Sequence, residues 1–221
     1  MRTHFTQELE TLRQNLIEMG ETTRTLLAEA NGAVVGAGPE SANRARELEA
    51  ETDQQHRLIH DQCLSLITLQ APVARDARLV TGILDAIVDL ELIGDYAYEI
   101  VTLSESTSGR APSQVLSQIS EAGGKIKELL SVAIDAWRTE NGAATLSLRA
   151  RADAIHAECQ GLYEKLSKLV PGPGDTTRYV NLLIICRHLE RILRHAVCVA
   201  DQAAEAAGTR DGEAAGTSAA E

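Results

Sequence analysis

Three long stretches of this 221-residue chain occur twice, in the same order, about a hundred positions apart. At an offset of 103, Gly20, Leu26, Leu27 and Ala30 meet Gly123, Leu129, Leu130 and Ala133. At 100, Leu48, Ala50, Asp53 and His56 meet Leu148, Ala150, Asp153 and His156, and at 99, Leu90, Glu91, Ile93 and Ala97 meet Leu189, Glu190, Ile192 and Ala196. The offset drifts only by loop lengths. Such a duplication restricts the fold to two like halves packed side by side.

The repeated stretches carry a helical period. The expected first helix runs from about Thr3 to Val35, with Phe5, Leu9, Leu12, Leu16, Met19, Leu26 and Leu27 on one face, and Gly36-Ala37-Gly38-Pro39 ends it. The second, about Glu40 to Leu69, carries Ala45, Leu48, Thr52, Ile59, Cys63, Leu66 and Ile67. Pro72 should open the third, because proline fits a first helical turn. It continues to about Ser104, with Leu79, Ile83, Ile87, Leu90, Gly94, Ala97 and Val101 as a buried seam. Ser106 to Pro112 is the midpoint loop, followed by helices at about Ser113 to Thr139, Gly142 to Val170 and Asp175 to Ala206, with Asp175 as a cap. A helix of 30 residues is about 45 Å long. The fold class is therefore all-α, two tandem three-helix bundles: one over residues 1–105, one over 113–206, and a small, polar, disordered tail at 207–221.

Composition supports this and narrows function. Hydrophobic residues make up 44% of the chain and aromatics only 3%, which suits long helices with aliphatic cores. A net charge of −11 without any basic run argues against nucleic-acid binding and against docking on an anionic membrane. The charged start of the chain is no signal peptide and no apolar run is long enough for a span, so the cytoplasm is the expected location, without membrane insertion. Cys63, Cys159, Cys186 and Cys198 form no C-x-x-C pair and read as buried thiols.

One feature of the third helix points to chemistry. Glu91, Asp95 and Glu99 recur every fourth residue and form a carboxylate stripe, with Asp85 and Asp89 at its edge. Like charges at this spacing repel, so the stripe costs stability unless a cation sits against it; a solvated acidic face is the alternative. The Asp53/His56 and Asp153/His156 pairs, three apart on a helix, can each ligate a metal, and with Glu91 and Glu190 they are similar to a di-iron carboxylate set, which would make the chain an oxidase or a metal store. Against that, di-iron sites use glutamate and gather four helices in one bundle, whereas the two pairs here belong to different bundles. His188 and His195 are expected on different faces of the last helix, and Arg75 and Arg78, near a helix start, offer a weak anion site that local acids such as Asp76 would neutralise. Nucleophile elbows, glycine-rich phosphate loops and H-E-x-x-H are missing from the sequence.

Met19-Gly20, QAPVARDAR at 70–78, DLELIGDYA at 89–97 and HLERILRHA at 188–196 together resemble the PhoU family of bacterial phosphate-signalling proteins. The resemblance covers about residues 1–203. It implies two three-helix bundles, a homodimer, and no catalytic reaction. It also implies a negative regulator of phosphate uptake, acting between the ATPase subunit of the phosphate ABC transporter and a sensor histidine kinase, so that phosphate-starvation genes stay off when phosphate is plentiful. The family's metal signature, an acid-x-x-x-acid pair on the third helix of each repeat, falls on Glu91 and Asp95. In the second repeat only Glu190 matches: Arg194 stands at the second acid, where it would pair with Glu190 and repel a cation, and Cys198 stands at the family's asparagine. Leu92 and Glu99 replace an arginine and an asparagine of the pattern, leaving the first stripe more negative. The candidate metal ligands are thus Glu91, Asp95, Glu99, Asp53, His56 and Glu190, for magnesium or manganese, with iron or zinc as alternatives.

Overall fold

A computed structural model describes residues 2–36, 38–105, 113–145, 147–169 and 176–208. It contains α1 (Arg2–Val34), α2 (Pro39–Gln70), α3 (Ala74–Glu105), α4 (Ser113–Thr139), a 3-10 turn (Gly142–Thr145), α5 (Leu148–Ser167) and α6 (Thr176–Ala206), and no strand among the described residues. α2 packs on α1 and α3, and α5 on α4 and α6, giving two helix triplets. They join where α1 lies against α4 and α3 against α6, so four helices form a shared central layer with α2 and α5 outside it. No helix of the described residues is long and apolar enough to cross a membrane.

The core follows from the apolar periods. Leu12, Leu16, Met19, Leu26 and Leu27 of α1 and Ile83, Ile87, Leu90 and Ala97 of α3 are buried, as are their counterparts Leu129, Leu130, Leu189 and Ala196. Phe5 and Leu79 are only partly buried, at the edge of this core, and Ile67 is exposed. The repeated glycines explain themselves at the α1–α4 contact. A Cβ on Gly20 would lie 2.9 Å from Ile134 Cγ1, and one on Gly123 would lie 2.5 Å from Asn31 Oδ1. Each half thus contributes one bare backbone position that lets the other half approach.

Two helix starts differ from expectation. α3 begins at Ala74, not Pro72. Proline bars its predecessor from right-handed helix, so Ala71 turns left-handed (φ 45°) and its N–H closes α2 on the Ile67 carbonyl at 3.2 Å. Ala74 is left-handed as well, at φ 49°. The fifth helix is also shorter than read. α4 ends at Thr139, Glu140 after it is left-handed at φ 52°, and Asn141 Oδ1 then accepts the Ala143 N–H at 3.1 Å while the Thr145 hydroxyl donates to the Gly142 carbonyl at 2.7 Å. These local bonds hold a 3-10 turn where a helix was expected, and α5 starts only at Leu148. The loop at 106–112, the Asp175 cap and the tail from residue 209 lie outside the described residues.

Candidate metal centre

The carboxylate stripe of α3 meets an acidic segment of α2. Gly94 makes the approach close: a Cβ there would already touch the Thr52 methyl at 3.4 Å. Around this contact Glu49 and Asp53 of α2 and Asp95 of α3 each offer a carboxylate oxygen, all within 4.8 Å of one another. Beside them His56 Nδ1 lies 3.2 Å from Glu91 Oε2, which joins the second candidate pair across the same two helices. His56 Nε2 is buried without a hydrogen-bond partner.

Electrostatics mark the cluster as short of positive charge. Burial, then the charges of Glu91, Asp53, Glu49 and Glu99, push the Asp95 carboxyl up to about 6. Burial and Asp53 raise Glu49 too. Arg57, itself largely exposed, lies 3.9 Å from Asp53. Three oxygens, a neighbouring imidazole and unbalanced negative charge are the donor set of a hard divalent ion, so the residues present fit such a group.

Of the candidate ligands, Glu91, Asp95, Asp53 and His56 come together. Glu99 turns the other way and accepts from His188 Nε2 of α6 at 3.0 Å. Glu190 lies in the other half, 6% exposed, and its partner is Arg187 at 2.6 Å rather than Arg194. Three residues back along a helix is as near as four forward, and Arg194 is exposed. Asp153 and His156 are also exposed, on the outer side of α5. Glu49 was missed by sequence reading, although Glu49 and Asp53 form an acid pair at helical spacing.

His188 and His195 correct another expectation. Seven residues come within about 20° of two full turns, so they share one face. Both stack on Tyr96 of α3, at 5.3 and 5.9 Å between ring centroids. His195 Nδ1 lies 2.7 Å from Asp89, whose other oxygen accepts from Gln202 at 2.7 Å. This ladder ties α3 to α6 and thereby one half to the other. Arg75 is likewise paired elsewhere than expected, with Glu140 of the α4 end at 2.7 Å instead of Asp76.

Comparison with known proteins finds relatives over most of the chain. The sequence model of the PhoU domain matches residues 16–103 and again 119–203. A phosphate-specific transport system accessory protein PhoU homolog of Synechocystis is 27% identical over 91% of this chain and 90% of its own. The homolog of Pseudomonas aeruginosa is 26% identical over 89% and 82%. The crystal structure of PhoU from Pseudomonas aeruginosa superposes with a TM-score of 0.82 over 91% of this chain and 98% of the other, at 26% identity. The phosphate transport system regulatory protein PhoU from Streptococcus pneumoniae shares the fold, also at a TM-score of 0.82, with 20% identity over 91% and 96%.

Proposed function

The chain belongs to the PhoU family, and on that premise we propose that it is a non-catalytic regulator that holds phosphate uptake down when phosphate is plentiful. In this reading it works in the cytoplasm as a homodimer. It contacts the ATPase subunit of the phosphate ABC transporter on one side and a sensor histidine kinase on the other. The relatives named for phosphate-specific transport support the first contact. The acidic cluster is where we place the divalent cation.

The observation that carries the site is the meeting of Glu49, Asp53 and Asp95 within 4.8 Å. Magnesium or manganese would be held by these oxygens, with Glu91 and His56 beside them, and would supply the positive charge that stops α2 and α3 repelling each other. Glu190 is not part of it, because Arg187 already neutralises it.

A deletion strain grown in ample phosphate tests the regulatory reading. Uptake of labelled phosphate and a starvation-gene reporter should both stay high, and the wild-type chain should restore repression. Co-purification of the ATPase subunit and of the kinase tests the two contacts. Normal repression in the deletion strain would overturn the proposal.

A further inference from the structure

A cavity of about 270 Å³ opens at the end of the bundle where α1, α3, α4 and α6 converge. It lies about 18 Å along α3 from the acidic cluster, taking the twelve residues from Leu79 to Glu91 at 1.5 Å each. Leu9, Leu79 and Trp137 wall it, and alanines at 203, 206 and 207 leave its space unfilled. Trp137 is a fixed wall, 3% exposed, with its indole N–H donating to the Val199 carbonyl at 3.0 Å.

Its rim is charged. Glu140 accepts from Arg13 and, at 2.7 Å, from Arg75, so one carboxylate occupies two guanidinium groups that come from α1 and α3. Arg13 also pairs with Glu10, and Asp76 is the remaining charge on the lining. Glu140 holds its position on a left-handed backbone at the end of α4, a conformation that costs a non-glycine residue energy, and its side chain is 47% exposed. Its exposed carboxylate is the group an incoming anion would displace from the two arginines.

We propose that this cavity binds a small organic anion with a short apolar body. The anionic group replaces the Glu140 carboxylate on Arg13 and Arg75, and the body lies against Trp137, Leu9 and Leu79. Binding pockets of this kind pair an apolar wall with a few fixed polar groups, and two arginines are the natural fork for a phosphate or carboxylate. Because the arginines belong to the first half and Trp137 and Glu140 to the second, the ligand would bridge the halves. The inference stands independently of the metal and of the regulatory reading.

Trp137 is the chain's one tryptophan, so its fluorescence reports this site alone. The full chain would be titrated with hexyl phosphate, inorganic phosphate and hexanol. Hexyl phosphate should change Trp137 emission saturably and bind about tenfold or more tighter than either other probe, since only it uses both walls. Glu140→Gly removes the resident carboxylate and its strained backbone, and should tighten hexyl phosphate binding while the chain stays folded. Arg13→Ala/Arg75→Ala, checked for folding by circular dichroism, should lose it. The proposal is overturned if hexyl phosphate gives no saturable change even with Glu140→Gly, or if Glu140→Gly does not tighten binding. Equal binding of hexanol or of inorganic phosphate, or binding unchanged in the folded double variant, overturns it equally.

Discussion

Asp95→Asn in the metal-free chain tests the electrostatics of the acidic cluster. The Asp95 carboxyl is raised from 3.8 to about 6, with burial as the largest cause and four neighbouring carboxylates adding to it. A raised carboxyl is a destabilising one: the fold binds its proton more tightly than the unfolded chain does. Its contribution is therefore most favourable below 3.8, is lost as pH rises toward 6, and is a constant penalty above. Two pH units correspond to a ceiling of about 3 kcal/mol, and the solvent exposure of Asp95 reduces this to about 1 kcal/mol at most. For a chain of this size that is about 2–4 °C in Tm. Melts followed by circular dichroism in chelator should show Asp95→Asn above wild type by that amount at pH 7.5, and the two equal near pH 4. Added manganese should then raise wild type and leave the variant almost unmoved. A variant that melts below wild type at pH 7.5 in chelator would refute the reasoning, because the carboxylate would then be making a favourable contact.

The remaining expectations concern the frame around the site. Burial pushes the Cys63 and Cys186 thiols up to about 12 and Cys159 to about 11, so iodoacetamide at pH 8 should label the half-buried Cys198 first. Mass spectrometry showing Cys63 labelled as fast as Cys198 would contradict this. His195→Ala strands one oxygen of Asp89, a side chain 14% exposed, and should cost about 1–3 kcal/mol in urea unfolding; an unchanged midpoint would show that the ladder between the halves adds nothing. Ala71→Gly relieves a left-handed alanine at φ 45° and should add about 0.5 kcal/mol after the extra entropy of glycine is subtracted, whereas a loss of 1 kcal/mol or more would contradict the account of the α2–α3 turn.

What could be read from sequence was what a single helix determines. The apolar periods of α1 and α3 identified Leu16, Met19, Ile83 and Leu90 as core, because burial of one face follows from spacing alone. The stripe of Glu91 and Asp95 was visible for the same reason. What failed depends on how one helix is turned against another. Glu49 looked like any surface acid until the close approach at Gly94 set the α2 register and aimed it at Asp95. Glu99, on the same stripe, is drawn off by His188 from the other half, which no spacing within α3 reveals. The match of Asp53/His56 to Asp153/His156 was likewise a likeness of letters: the first pair faces α3 and the second faces solvent. At the start of α5 the local bonds of Asn141 and Thr145 outweigh a helical pattern that reads continuously.

The most direct measurement is manganese binding by the purified, chelator-treated full chain, followed by electron paramagnetic resonance. Wild type would be compared with Asp53→Asn/Asp95→Asn and with Glu190→Gln. The account predicts saturable binding to wild type, its loss in the double variant, and unchanged binding in Glu190→Gln, because the proposed cation site is the α2–α3 cluster of the first half. Binding that persists in the double variant, or that disappears with Glu190→Gln, would contradict it.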